Sequence, residues 1–163
     1  MSPAPKKRPR QYWLLKTEPH TFSIDDLRCA PKQTTPWDGV RNYQARNILR
    51  DAMAVGDGVL IYHSCAKPLA IVGRAEVTSP SYPDPSQFDP QSPYFDGAAT
   101  EQKPRWFARD ITFKEAFTRP ILRDLLAQMP ECADLMLLRR GSRLSVQPVP
   151  DHAWGLILAL SGG

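Results

Sequence analysis

An α+β fold built on a mixed β-barrel with flanking helices is the fold class the sequence predicts. Three observations predict it: strand-like runs occur without regular βα alternation, helical patterns fall between them, and no internal repeat organises the chain. A parallel doubly wound sheet would need the alternation that is missing. At 163 residues the chain suits one domain with one sizeable core.

Residues 12–16 (YWLLK) form a short aromatic and aliphatic run closed by Thr17, Glu18 and Pro19, which reads as an opening strand ended by a turn. Ser23, followed three residues later by Asp26, has the pattern of a capping box that opens a short helix. Over residues 42–53 the apolar positions Tyr43, Ala45, Ile48, Leu49 and Ala52 recur at helical spacing, with Asn42 placed to cap and Arg46 and Arg50 sharing the other side. After a turn at 56–58, residues 59–63 and 70–77 read as strands, the second with Gly73 as a bulge site.

Residues 79–104 contain Pro80, Pro83, Pro85, Pro90, Pro93 and Pro104, a density of missing donors that predicts a long loop without regular elements. Loops of that length commonly wall a site. A strand is expected over 106–113, with Phe107, Ile111 and Phe113 on one face, then helices over 121–129 and 131–138 separated by Pro130. Residues 144–149 read as a short extended segment, and 151–160 as a closing helix with an apolar face.

The net charge of +4 suggests nucleic acid, but Lys6, Lys7, Arg8 and Arg10 supply it, and the remaining 17 Lys and Arg balance 17 Asp and Glu. The body is therefore not a polybasic grip on a long duplex, and any basic surface is local. Residues 1–10 read as a disordered basic tail, either a solubilising leader or a weak phosphate-binding arm. No apolar run approaches a membrane span, and the first ten residues have no apolar stretch of signal-peptide type, so a cytoplasmic protein without a membrane partner is expected. Cys29, Cys65 and Cys132 are too far apart for close metal-ligand pairs and read as reduced thiols, with no metal and no cofactor implied.

The densest polar and aromatic cluster is residues 37–47 (WDGVRNYQARN), which leads from a loop into a helix start. Free N–H groups there, two arginines and a ring able to stack suit a base with its phosphates; the plainer reading is a helix capped by Asn42 with Tyr43 in the core. His63, Ser64 and Cys65 follow a strand, but adjacent strand residues point to opposite faces and no third group orients them. A hydrogen-bonding role fits better than a nucleophile. In the last segment, Arg139, Arg140 and Arg143 form a basic loop ahead of Ser145 and Gln147, which a strand would turn to one side together.

Taken together, residues 12–19 (YWLLKTEP), 22–27 (FSIDDL), 37–47, 56–64 (GDGVLIYHS), 82–84 (YPD), 104–106 (PRW) and 143–149 (RLSVQPV) resemble the EVE domain family, in order and over about residues 11–161. The resemblance implies a PUA-like β-barrel, related in fold to YTH domains, and a non-enzymatic reader of modified bases, above all modified cytosine in DNA. By resemblance, the base pocket falls on Trp13, Lys16, Glu18, Trp37, Asn42, His63, Ser64, Ser145, Val146 and Gln147, with Arg41, Arg46 and Arg143 on flanking phosphates. The expected partner is nucleic acid, modified DNA or alternatively modified or single-stranded RNA, bound by a monomer. Two other classes stay open: a hydrolase using His63 with Cys65 or Glu18, and a protein-interaction module whose contact surface is the proline-rich loop.

Overall fold

In a strand, successive side chains point to opposite faces, so a strand apolar at every position must be covered on both sides. Residues 12–15 and 59–62 are such runs, and a computed structural model of the chain, which describes residues 8–162, places the strands that hold them, Tyr12–Thr17 (β1) and Gly58–His63 (β3), side by side and parallel. The other members of their sheet are Thr34–Pro36 (β2), Ala70–Val77 (β4), Asp110–Leu122 (β7) and Val146–Val149 (β8). The six strands run in the order β2-β7-β4-β3-β1-β8, and all neighbours besides β1 and β3 are antiparallel. The sheet curls into a half-barrel, in keeping with the α+β expectation.

The single core expected from length is divided by this sheet. Trp13, Leu15, Val59 and Ile61 face one cluster, closed by Leu27 of helix α1 (Ile24–Cys29) and Leu49 beyond helix α2 (Tyr43–Asn47). Leu14, Leu60 and Tyr62 face the other, closed by Leu126 of α3 (Arg123–Ala127) and by Trp154 and Ile157 of α4 (Asp151–Leu160). Trp154 also stacks on Tyr12, with centroids 4.3 Å apart.

Local signals hold where they concern neighbours. Ser23 and Asp26 form the capping box of α1, and Asn42 Oδ1 accepts the Ala45 N–H at 3.0 Å at the start of α2. Pairing with β3 jumps from Ile61 opposite Gly73 to Tyr62 opposite Ile71, so β4 bulges at Val72, beside Gly73. A Cβ on Gly73 would lie 2.4 Å from the Glu115 carbonyl oxygen, which leaves glycine the residue that fits.

Several expectations are corrected. The helix read over 42–53 is α2 followed by a wider π turn, Ile48–Ala52. The buried Arg109 guanidinium donates to the carbonyls of Leu49 (2.6 Å) and Met53 (2.6 Å), satisfying groups that a regular helix end leaves open. The strand read over 106–113 is broken: Phe107–Ala108 (β6) pairs with Tyr82–Pro83 (β5), and β7 begins at Asp110 and runs through Ile121 and Leu122. The helix expected from 121 is therefore only α3, and that over 131–138 is two single 3-10 turns, Pro130–Cys132 and Met136–Leu138. Cys132 and Leu135 are three apart, a spacing that buries both from tight turns as well as from a helix.

The proline-rich stretch holds β5 and a 3-10 turn, Pro85–Phe88, against the expectation of no regular element. Buried side chains stand in for the missing backbone donors. Gln87 Nε2 donates to the Asp84 and Trp106 carbonyls at 2.8 Å each, while its Oε1 accepts from the N–H groups of Arg105 (2.9 Å) and Trp106 (3.0 Å).

Residues 1–7 of the basic tail lie outside the described residues. At its described end the expectation of disorder gives way to anchorage: Arg8 pairs with Asp57 at 2.9 Å and Arg10 Nε donates to the Gly56 carbonyl at 2.9 Å. The three cysteines carry free thiols, Cys29 and Cys65 exposed and Cys132 buried.

Candidate nucleic-acid interface

A cleft of about 570 Å³ opens where the turn after β1 meets the segment between β2 and α2. That volume is within the roughly 300–1,000 Å³ typical of small-ligand sites. Lys16, Thr17, Glu18, Thr21 and Phe22 form one wall, residues 35–41 the facing one, and Tyr94 and Ser145 close the sides. Five of the sequence-predicted site residues thus meet at one place: Lys16, Glu18, Trp37, Arg41 and Ser145.

Each is positioned by the backbone. The Lys16 N–H donates to the Ser145 carbonyl at 2.9 Å, which ties the two sides of the cleft. Its ammonium reaches the Ser142 carbonyl at 3.3 Å, and burial, with Arg123 nearby, lowers its pKa. Trp37 is fixed by its N–H on the Arg109 carbonyl (2.8 Å) and by an edge contact with Phe22, and only 9% of it is exposed. It is therefore a floor to the cleft more than a free stacking face.

Arg41 has a role different from the phosphate binding expected of it. Its five N–H groups are matched by five hydrogen bonds: Nε and Nη2 to the Tyr94 carbonyl, Nη1 to Asp84 Oδ2 and the Val40 carbonyl, and Nη2 to Ser86 Oγ. It is the strut that holds the proline-rich loop against the cleft. Asp84 is fully buried at the other end, accepting also from the Gly39 N–H at 2.8 Å and the Ser86 hydroxyl at 2.6 Å. Burial pushes the Asp84 carboxyl up, but the bonds from Ser86, Gly39 and Arg41 outweigh it and hold the pKa below the ordinary value.

Beside the cleft stands a cationic and aromatic ridge. Tyr43, expected in the core under the plainer reading, is exposed and stacks on Trp106 at 4.8 Å; the Arg46 guanidinium lies 4.8 Å from its ring, and Arg105 donates to its hydroxyl. Arg41 joins ridge to cleft, 5.3 Å from the Trp106 ring. Arg143 is exposed on the loop before β8.

The other predicted pocket residues do not line the cleft. Trp13 is buried, its indole N–H on Asp57 Oδ2 at 2.8 Å, and Val146 is core opposite Leu15. Asn42 is spent as a helix cap. Gln147, expected beside Ser145, is buried and folds back to donate to Ser142 Oγ and the Leu144 carbonyl. Ser64 is held through its N–H on the Thr17 carbonyl, off the cleft wall.

His63 Nε2 accepts the Ile24 N–H at 3.1 Å, and burial lowers its pKa against the opposing pull of Asp25. It caps α1 as a neutral ring. The neighbouring Glu18 carboxylate raises the Cys65 thiol pKa, the reverse of nucleophile activation. Sequence reasoning missed Phe22, Thr35, Pro36, Asp38 and Tyr94; the proline-rich loop as a candidate wall was the one signal toward Tyr94.

The curled half-barrel with flanking helices is the fold of PUA-like domains. The EVE domain model matches residues 11–160, and the chain belongs to that family. Rat thymocyte nuclear protein 1 is 39% identical over 91% of this chain and 73% of its own length. Among solved structures, a Pseudomonas syringae protein is similar at 45% identity and TM-score 0.86, covering 92% of this chain and 99% of that one. Human THYN1 in complex with 5-methylcytosine-containing DNA is similar at 36% identity and TM-score 0.86, covering 94% and 98%. A yeast YTH domain shares the fold alone, at 15% identity and TM-score 0.54 over 97% of this chain and 92% of that one. Among the described residues no helix is long and apolar enough to cross a membrane, and no group of acids, His and Cys could hold a metal ion.

Proposed function

We infer that this chain is a non-enzymatic reader of modified cytosine in DNA, which takes the base out of its strand and into the cleft between β1 and the β2–α2 segment. The observation that carries this is the cleft itself, of base-accommodating volume and with polar groups beside aromatic edges, in a family whose human member is seen with 5-methylcytosine DNA. Extruding a base costs a few kcal/mol. Hydrogen bonds from Lys16 and Ser145, with van der Waals contact to Trp37, Phe22 and Pro36, recover it, and Phe22 and Pro36 offer a methyl group an apolar surface.

In this reading Arg46, Arg105 and Arg143 hold the flanking phosphates for a monomer: Arg46 and Arg143 are carried over from the sequence expectation, and Arg105 is added because it shares the ridge with Arg46 and Tyr43. The absence of an activated nucleophile at His63 and Cys65 supports binding over hydrolysis.

The test is the affinity for short strands that differ in one cytosine, unmodified or 5-methylated, with RNA counterparts at equal salt. The expected result is a several-fold preference for the methylated DNA strand, since one methyl in a fitted niche is worth about 1–3 kcal/mol. A preference for the RNA counterpart would move the reading to RNA, and equal, strongly salt-dependent binding would reduce it to charge.

A further inference from the structure

5-Methylcytosine and thymine carry the same methyl group, so an apolar niche for that group does not tell them apart. They differ at position 4, a donor amine in one and an acceptor oxygen in the other. A reader of modified cytosine therefore needs a group facing that position. Resting on the reading above, we propose that the Asp38 carboxylate is the specificity-determining residue of the cleft and accepts the exocyclic amine of the bound cytosine.

Four observations carry this. Asp38 lines the cleft. It is held there from both sides, because the Trp37 N–H is bound to the Arg109 carbonyl and the Gly39 N–H to Asp84 Oδ2, each at 2.8 Å. Gly39 is itself fixed in place: its φ is +74°, and a Cβ there would lie 2.8 Å from the Tyr94 ring. Finally, the acceptor is unclaimed. Among the described residues no other residue donates to the Asp38 carboxylate, whereas Glu18, the other acid of the cleft, faces His20 at 3.2 Å and the Cys65 thiol.

Asp38 is exposed at the cleft; partial desolvation and the neighbouring Asp84 charge raise its pKa, against its own N–H and Arg41, so a donor placed there favours the carboxylate. The backbone that carries the carboxylate is fixed, and its oxygens are free to meet a ligand N–H. An acid accepting from cytosine N4 is a pairing proteins use in groove readout. Thymine would present its O4 to the same charge and be repelled.

The experiment measures binding of the full chain to four DNA strands identical except at one position: 5-methylcytosine, cytosine, thymine and 5-methyl-2-pyrimidinone, which keeps the methyl and lacks the amine. The protein should favour 5-methylcytosine over both thymine and the pyrimidinone by about ten-fold or more. Asp38→Asn and Asp38→Ala should bring these ratios near one without changing the melting temperature, since the side chain has no structural partner. An asparagine amide can turn either edge to the base, so it keeps size and loses discrimination. Ratios that persist in both variants, or a wild-type protein that binds thymine equally, overturn the proposal while leaving the reader reading intact. Failure of the wild-type protein to bind any of the strands would instead overturn the reading of the cleft, and the proposal with it.

Discussion

Asp57→Ala is expected to destabilise the protein by at least about 3 kcal/mol, the lower end of the range for breaking a buried ion pair because its partner Arg8 is partly exposed, with the loss of its other buried bonds added. Asp57 is 1% exposed, and its carboxylate accepts from Arg8 Nη1 (2.9 Å) and Nη2 (3.1 Å), Trp13 Nε1 (2.8 Å), and the N–H groups of Gln11 (3.2 Å) and Ala54 (3.0 Å). It binds the start of β1, the turn before β3 and the described end of the tail at one point. Alanine strands the buried Trp13 indole N–H and removes the acceptor of two partly buried backbone donors, those of Gln11 and Ala54. Burial pushes this carboxyl up, but the bonds from Arg8, Trp13, Ala54 and Gln11 together leave its pKa lowered. A lowered carboxylate contributes stability that is present above its unfolded value of about 3.9 and lost as pH falls through the folded value. Urea midpoints should therefore drop below about pH 4, and Asp57→Asn should flatten that acid limb. A variant as stable as the parent at pH 7 would contradict the account.

Asp84→Ala is expected to cost about 3 kcal/mol, the lower end of the same range because its partner Arg41 is only partly buried and keeps its bonds to Tyr94 and Ser86. The functional effect should exceed the thermal one. Without Asp84, the Gly39 N–H and one Arg41 donor lose their acceptor, and the loop carrying Tyr94 is no longer fastened to the cleft. Limited proteolysis should cut within residues 84–100 well below the melting temperature, and affinity for a methylated strand should fall at least about ten-fold, the loss of one good hydrogen-bonded contact. Unchanged loop protection and affinity would show that the strut is not what shapes the site.

Much of the scaffold was readable in the chain because its causes are local. Apolar runs at 12–16 and 59–63 announce strands, though not that both faces are covered, and Ser23 with Asp26 announces a helix start from four residues alone. The π turn after α2 was not readable, since it depends on Arg109, which is distant in sequence and closes it through carbonyl contacts. Nor was the broken strand at Arg109, where apolar residues continue but the pairing partner changes.

The site was half legible for a related reason. Asn42, His63 and Gln147 are polar residues well suited to a base edge, and equally suited to an orphaned backbone group; the folded chain uses all three on its own backbone. Lys16, Glu18, Trp37 and Ser145, assigned by resemblance, come together because the strand end and the loop that bear them converge on one cleft. Asp38 and Tyr94 were missed because an exposed acid and a loop aromatic look ordinary until their neighbours are in place.

The most direct test of the central claim is to map backbone amide shifts of the labelled protein on adding a short single strand containing one 5-methylcytosine. The account predicts changes concentrated at residues 16–22, 35–41, 94 and 145, with smaller ones at Arg46, Arg105 and Arg143. Changes confined to the basic tail and α4, or spread evenly over the surface, would contradict a base bound in the cleft.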